Sequence, residues 1–321
     1  MAAIRQQLEG VNLIYNVGET GLLYRGLPSR SYVPSEDRRT ARGSKAIKSK
    51  DRVTLTLCFN STGSHKLPVT MIGKAVQPMC FAGEGNECPL PFFSQKSAWT
   101  DASVFKPWFD EVFVSAVRAR TRHQVYLIMD NLSCHGSIAN PQVTIIELPP
   151  NTTAVFRPLN AGIIATLKIR YKKRLLHQVV SNLDVLLSSK ARDPREPRGG
   201  VLEDGGHAHL LDAAKFILEE WNEMPREQIV CCWLKADCLP TEANAELRRQ
   251  LGDILLVADS EHMDVSSLVA MMANTTLEHE FEGVSGPDQA QAMRRWLVAE
   301  TEVEAMDQTV DMVLAGADND E

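Results

Sequence analysis

A short apolar run that ends in an acid constrains this chain more than any other feature. Residues 125–130 read Val-Tyr-Leu-Ile-Met-Asp. Such a run is typical of a buried strand, and its last residue reaches a site at the edge of the sheet. About thirty residues later, Asn160 stands at the start of an amphipathic helical segment, residues 163–180. Two polar side chains delivered in this way can converge on one metal ion, although metal chemistry would prefer an acid to an amide at the second position.

The segments around this run predict a mixed sheet with flanking helices. The predicted strands are residues 11–16, 53–59, 67–72, 125–129 and 143–148. Residues 53–59 alternate polar and apolar, which is the period of a half-buried strand. Apolar residues recur at helical spacing over 104–113, after Thr100 or Asp101 as the helix N-cap. We therefore expect an α/β fold in which three antiparallel strands precede parallel strands in a five-stranded sheet, followed by a helical C-terminal extension.

Charge divides the chain into two parts. Residues 253–321 contain sixteen acids against two arginines, a net charge of −14, so residues 1–252 carry +7 of the total of −7. A basic body can bind nucleic acid, and an acidic tail can equally be a solvated extension. We predict one domain over residues 1–240, with a linker-like insertion at 192–206, and an acidic, partly helical tail over 241–321.

Targeting and redox features are sparse. No apolar run approaches the ~20 residues that span a bilayer, and the first residues lack the core of a signal peptide. The seven cysteines form no CxxC pair, which is typical of reduced thiols. We expect a protein of the nucleus or the cytoplasm that is neither secreted nor membrane-bound.

Four segments, in this order, carry a more specific signal. They are Asn16-Val-Gly-Glu-Thr-Gly-Leu22; Lys50-Asp-Arg-Val-Thr54 with Asn60, Gly63, Leu67-Pro68 and Ile72-Gly73; Met129-Asp-Asn131 with His135; and Leu148-Pro-Pro-Asn-Thr-Thr153 with Pro158-Leu-Asn-Ala-Gly-Ile-Ile164. Together they resemble the DDE superfamily endonuclease domain of pogo/Tigger/Jerky-type transposases, including relatives of the centromere-protein-B type. In that family the last segment reads L-P-P-N-T-T-x-x-x-Q-P-x-D-x-G-I-I. The resemblance covers about residues 12–239 and implies an RNase H-like fold.

The same resemblance implies a site whose chemistry is lost. The family holds two divalent ions, Mg²⁺ or Mn²⁺, with three acids, and the matching positions here are Gly18, Asp130 and Asn160. One unit charge against another at ~4 Å is worth about 4 kcal/mol at an effective dielectric of ~20. Losing two carboxylates should therefore lower metal occupancy or rate on the order of 10³-fold. Glu19 is the candidate substitute, but strand alternation turns its side chain away from Asp130 unless the chain bulges at Gly18.

Simpler roles exist for each site residue. Asp130 can cap the turn that follows its strand, Asn160 can be the N-cap of the long helix, and His135 can donate to a loop carbonyl. Basic residues in the loop from Arg25 to Arg52 and along the long helix can be solvated or can contact phosphates. The candidate nucleic-acid-binding residues are Arg25, Arg38, Arg39, Arg42, Lys45, Lys48, Lys168, Arg170, Lys172 and Lys173.

Three functional hypotheses follow. The first is a transposon-derived DDE domain that binds the phosphate backbone of DNA and lacks nuclease activity. Only about ten residues precede the first predicted strand, so we expect no helix-turn-helix module and weak sequence selectivity. The second is an active metal-dependent nuclease that uses Glu19, Asp130 and Asn160. The third is a protein-interaction scaffold whose acidic tail contacts partners or covers the basic groove.

Overall fold

The computed structural model describes residues 2–8, 13–26, 51–82, 87–130, 138–149, 152, 156–190 and 209–251. The strands are β1 (Ile14–Leu23), β2 (Arg52–Asn60), β3 (Thr70–Gly73), β4 (Phe92–Ser94), β5 (Val125–Met129) and β6 (Val143–Glu147). The α-helices are α1 (Ala2–Gln7), α2 (Ala102–Pro107), α3 (Ser115–Arg120), α4 (Ile164–Lys190), α5 (Leu210–Asn222), α6 (Arg226–Ala236) and α7 (Thr241–Leu251). Two π-helical segments, Trp108–Val114 and Leu159–Ile163, precede α3 and α4.

The strands form one mixed sheet in the order β4-β3-β2-β1-β5-β6. β2 and β3 are antiparallel, whereas β5 is parallel to both β1 and β6. This arrangement confirms the predicted RNase H-like fold class. The number of strands was wrong, because β4 adds a sixth strand parallel to β3. With only three residues, Phe92–Ser94 is too short to show a strand period in a segment that reads as loop.

The helical segment after β4 begins where the sequence predicts. The Asp101 side chain accepts hydrogen bonds from the backbone N–H groups of Ser103 and Val104, at 3.0 and 3.2 Å. Pro107 lacks an N–H and ends the regular helix, and a π-helical turn continues the segment to α3. The turn faces its aromatic side chains toward the sheet, where the Phe113 ring packs edge-on against Tyr15 at 5.6 Å between centroids.

Side chains of β2 show that both faces of the sheet are covered. Cys58 belongs to the buried cluster formed with Trp108 and Phe113 on one face. The next residue, Phe59, lies 6.2 Å from the ring of Trp221 and 6.2 Å from that of Trp233. Because neighbouring residues of a strand point to opposite faces, helices pack on both sides of β2.

A lysine in the loop between β2 and β3 caps the end of α5. The Lys66 ammonium donates to the carbonyls of Trp221, Asn222 and Met224, at 2.7, 3.0 and 2.9 Å. The indole of Trp221 in turn donates to the carbonyl of Leu67 at 2.8 Å. A cation at the C-terminus of a helix satisfies orphan carbonyls and complements the helix dipole. The contact fixes the end of α5 to the edge of the sheet.

The chain divides into two compact units. One consists of Met1–Gly21, Val53–Leu167 and Ile217–His262, and the other of Leu22–Arg52, Lys168–Phe216 and Met263–Glu321. Within the second unit, the Tyr171 hydroxyl donates to the carbonyl of Tyr24 at 2.7 Å. The predicted insertion at 192–206 and the tail beyond residue 251 lie outside the described residues, and the predicted boundary at residue 240 stays a prediction. In the part of the chain that is described, no helix is long and apolar enough to cross a membrane.

Candidate catalytic site

The pairing of two parallel strands sets the geometry of the site. Asn16 of β1 is the register partner of Ile128 of β5. Two residues further along both strands, Gly18 lies level with Asp130, which directly follows β5. Side chains at level positions of neighbouring parallel strands project to the same face. The sheet therefore brings together the first two positions of the expected acid triad.

An arginine occupies the space between these strands. Arg157 is 1% exposed, and its Nη1 donates to a carboxylate oxygen of Asp130 at 2.8 Å. Its Nη2 donates to the carbonyl of Val17 at 3.1 Å. Asp130 is also buried, so water screens this charge-assisted hydrogen bond only weakly. The one acid that the triad keeps is thus engaged by a cation of the chain itself.

The arginine fits there because position 18 has no side chain. A Cβ built on Gly18 would lie 1.5 Å from Nη2 of Arg157 and 2.2 Å from its Cζ. No side chain can occupy both places, since real carbon atoms do not approach so closely. The guanidinium therefore occupies the volume in which the first acid of the triad would begin.

Glu19 also reaches the guanidinium, whereas its orientation relative to Asp130 stays a prediction. Its carboxylate lies 3.7 Å from Nη2 of Arg157, and its side chain is 11% exposed. Strand alternation still separates the directions of residues 18 and 19. The guanidinium passes over Gly18 and so contacts both Glu19 and Asp130. A side chain at position 18 would occupy the same space as the guanidinium in this position.

An asparagine that the sequence analysis did not single out joins three elements of the site. The buried Asn16 amide donates to the Ile128 carbonyl of β5 at 3.0 Å. Its carbonyl oxygen accepts from the backbone N–H of Leu159 at 3.2 Å. Asn16 thereby fixes the start of the π-helical segment against β1 and β5, immediately after Arg157.

Asn160 lies inside the first turn of the π-helical segment. Its backbone N–H donates to the carbonyl of Arg157 at 3.0 Å, and its side chain is exposed. The N-cap of this segment is Pro158, so the alternative that Asn160 is the helix N-cap was wrong. Two residues on, Gly162 has a φ of +152°, where a side chain would be strained, and a Cβ there would lie 3.3 Å from the sulfur of Cys232. The helical path bends at Gly162.

The candidate nucleic-acid-binding residues have different environments. Lys168 and Lys172 of α4 are 1% and 2% exposed, which corrects the expected basic face. They follow Ile164 at four-residue intervals and so share the buried side of the helix, whereas Arg170 and Lys173 are half-buried. Arg25 forms an ion pair with Asp51 at 3.0 Å. The candidates Arg38, Arg39, Arg42, Lys45 and Lys48, as well as His135, lie outside the described residues.

These residues do not fit a pair of divalent metal ions. A metal site needs several oxygen ligands around one empty space, and here the space over Gly18 holds a guanidinium. Asp130 already binds that guanidinium, and the side chain of Asn160 is exposed. Among the described residues, no group of three His, Cys, Asp or Glu side chains could hold a metal ion.

Arg157 is the residue of the candidate site that the sequence predictions did not include. A signal for it exists, since the family pattern has glutamine before the proline of its last segment and this chain has Arg157-Pro158. Arg157 thus replaces a neutral amide by a permanent positive charge next to the expected metal site. The spacing of the motif is unchanged by this substitution and does not reveal it.

Comparisons with known proteins agree with the predicted family. The profile of the DDE superfamily endonucleases matches residues 50–233. Tigger transposable element-derived protein 4 of Mus musculus is 33% identical over 175 residues, which are 53% of this chain and 32% of the relative. The Jerky protein homolog of Homo sapiens is 32% identical over 160 residues, or 47% and 28%. The CENP-B homolog protein 2 of Schizosaccharomyces pombe is 26% identical over 237 residues, or 70% and 41%.

The matched regions thus span less than half of the length of these relatives. No solved structure matches this chain significantly.

Proposed function

The chain belongs to the DDE superfamily endonucleases, and from that premise we propose that it binds DNA through the phosphate backbone without cleaving it. The family description names an activity on nucleic acid, and the similarity to a Tigger transposable element-derived protein supports an origin from a transposase. The domain keeps the fold of a nuclease, and Arg157 occupies the space in which the metal ions required for cleavage would bind. We place its role in the nucleus, where DNA is available.

The ion pair between Arg157 and Asp130 carries this proposal. Cleavage in this family would require Asp130 to bind a divalent cation. The Nη1 of Arg157 holds that carboxylate at 2.8 Å, and Gly18 supplies no ligand atom. A divalent ion would have to displace a buried guanidinium that is covalently part of the chain. It would also find only one of the three acids of the triad, because positions 18 and 160 are glycine and asparagine.

A cleavage assay tests the loss of activity. Purified protein is incubated with supercoiled plasmid and with single- and double-stranded oligonucleotides in 5 mM Mg²⁺ or Mn²⁺. We expect no nicking above the level of the Asp130→Ala variant prepared in parallel. Metal-dependent cleavage by the wild type that disappears in Asp130→Ala would show that the second hypothesis, an active nuclease, is correct.

A salt titration tests DNA binding. Fluorescence anisotropy with two unrelated 30-base-pair duplexes should give dissociation constants that agree within about threefold and rise steeply with salt, since binding releases counterions from phosphates. Equal affinity at low and high salt, or no binding at 50 mM salt, would contradict a backbone-directed mode.

Arg170 and Lys173 are the described α4 residues that stay candidates for phosphate contact. Replacing both with glutamine should make the slope of log K against log salt shallower by about 1.8, if each neutralises one phosphate. The matched control, Lys106→Gln with Arg118→Gln, removes the same charge from α2 and α3, where both side chains are exposed. An equal change in both double variants would indicate an effect of net charge rather than of contact.

A further inference from the structure

We propose that double-stranded DNA contacts this protein at one end of the sheet, away from Asp130, through the guanidinium groups of Arg120, Arg122 and Arg226. These three residues are called the basic end below. The proposal deepens the proposed function and rests on it, because it names a phosphate-binding surface for the same DNA. It separates that surface from the site that Arg157 occupies.

The strand directions place the basic end opposite the candidate catalytic site. Asp130 follows the last residue of β5, whereas Arg122 precedes its first residue, Val125, by three positions. The five steps from Val125 to Asp130 extend about 17 Å at ~3.3 Å per residue. The turn after β2 lies at the same end as Arg122, since the backbone N–H of Ser61 donates to the carbonyl of Ile14, the first residue of β1, at 2.8 Å.

Positive charge at this end is exposed. Residues 112–124, which include the end of α3, contain three arginines and a histidine and no acid. Arg120, Arg122 and Arg226 are exposed, and within the described part of the chain none of them forms an ion pair. Glu223 and Glu227 are close to Arg226 along the chain and do not pair with it. The guanidinium charges are therefore available to an external anion, and a guanidinium matches the geometry of a phosphate.

A tight turn holds two of these arginines side by side. Nη2 of Arg120 donates to the carbonyl of Ser64 at 3.2 Å, and Nε of Arg226 donates to the carbonyl of Thr62 at 2.7 Å. The Cα atoms of Thr62 and Ser64 are at most about 7.6 Å apart, because they are two positions apart in the chain. A guanidinium has five N–H donors, so each arginine keeps donors for a phosphate oxygen.

The turn itself is fixed in place. The Asn60 amide donates to the hydroxyls of Thr62 and Ser64 at 3.1 and 3.0 Å. Gly63 has a φ of +65°, and a Cβ there would lie 2.8 Å from Cγ of Arg226 and 2.9 Å from its carbonyl oxygen. Glycine thus allows the turn to pack directly on the start of α6. A preorganised pair of cations loses less entropy when it binds a ligand.

The salt dependence of DNA binding tests the basic end. The full chain carrying Arg120→Gln and Arg122→Gln is titrated against a 30-base-pair duplex by fluorescence anisotropy. We expect the slope of log K against log salt to become shallower by about 1.8. Adding Arg226→Gln should bring the change to about 2.7, at ~0.9 for each phosphate that is no longer neutralised.

The matched control is Lys106→Gln with Arg118→Gln, which removes two charges from exposed positions. Residues two apart on a helix do not share a face, so Arg118 does not point with Arg120. The control should keep the slope of the wild type within about 0.5. An equal change in the two double variants would overturn the proposal, because net charge would then explain both.

A conservative variant separates charge from folding. Arg120→Lys with Arg122→Lys keeps two cations that can neutralise phosphates, so the slope should match that of the wild type. A slope as shallow as that of the glutamine variant would contradict the role of charge.

Chemical protection locates the contact. Phenylglyoxal modifies exposed guanidinium groups, and mass spectrometry of the digested protein measures the modification of each arginine. At a duplex concentration ten times the dissociation constant, modification of the three basic-end arginines should fall about tenfold, whereas that of Arg118 should not change. Protection of Arg118 without protection of the basic end would overturn the proposal.

Failure of the proposed function gives a different result. A wild type that binds no duplex at low salt would overturn both proposals. A wild type that binds with a steep salt dependence, together with basic-end variants that keep its slope, would overturn only the basic end. Binding of polyglutamate through the same arginines, with no binding of duplex, would assign this surface to an acidic protein partner instead.

Discussion

Arg157 and Lys66 are two cations that each connect distant parts of the same compact unit, and their partners differ. Lys66 donates to three backbone carbonyls at the end of α5. Arg157 pairs with two carboxylates and one carbonyl. The lysine satisfies acceptors that every helix terminus has. The arginine instead brings together two carboxylates from different strands, Glu19 of β1 and Asp130 at the end of β5.

The largest expected effect concerns Arg157, whose guanidinium needs the space that Gly18 leaves. Gly18→Ala adds only a methyl group, but it would lie 1.5 Å from the Arg157 guanidinium, and we expect a loss of about 4 kcal/mol in the free energy of unfolding, as for a broken buried ion pair. In an Arg157→Ala background the same change should cost about 1 kcal/mol. Chemical denaturation of the four proteins measures the coupling; equal costs in both backgrounds would refute the shared space.

The next effect concerns the lysine. Lys66→Met keeps much of the aliphatic chain and removes three hydrogen bonds to carbonyls, so it should lower the free energy of unfolding by about 2 kcal/mol. Lys74→Met, at an exposed position after β3, serves as the control and should change it by less than about 0.5 kcal/mol. Equal losses in the two variants would mean that capping of α5 contributes nothing.

A smaller effect concerns the longer of the two ion pairs of Arg157, the one with Glu19. Glu19→Gln removes a charge that is 3.7 Å from Nη2 of Arg157 and largely buried. We expect a loss of about 1 kcal/mol, against no measurable loss for Glu147→Gln at the exposed end of β6. A stabilised Glu19→Gln protein would indicate that the two acids repel each other more than the arginine attracts them.

The smallest effect depends on pH and lies beside Lys66. Burial, with a contribution from the nearby Arg120 charge, lowers the pKa of His65 below 6.5, and its Nδ1 lies 2.9 Å from the Tyr15 hydroxyl. The unfolded chain therefore binds the proton more readily, so this contribution to stability is complete above pH 6.5 and is lost as pH falls toward the lower folded-state pKa. Denaturation at pH 7 and pH 5 should show a smaller pH difference for His65→Gln than for the wild type.

Local patterns in the sequence predict the parts of the fold that depend on local chemistry. The apolar run of β5 and the cap at Asp101 lie where their residue types require them. Lys168 and Lys172 were misplaced, because charge suggested an exposed face where four-residue spacing from Ile164 places them on the buried side. Periodicity also carries no information on which distant side chains meet. Arg157 lies 27 residues from Asp130 and 140 from Val17, so its contacts follow only from the assembled sheet.

The close approach of Arg157 to Gly18 also couples any substitution at position 18 to the residue at position 157. An acid introduced at position 18 while the arginine is present meets the guanidinium at its first carbon atom. Changing residue 157 first opens the space, and the acid can then be added. An acid at position 18 combined with a smaller residue at position 157 therefore avoids a clash that the acid alone would relieve only by moving the Arg157 side chain.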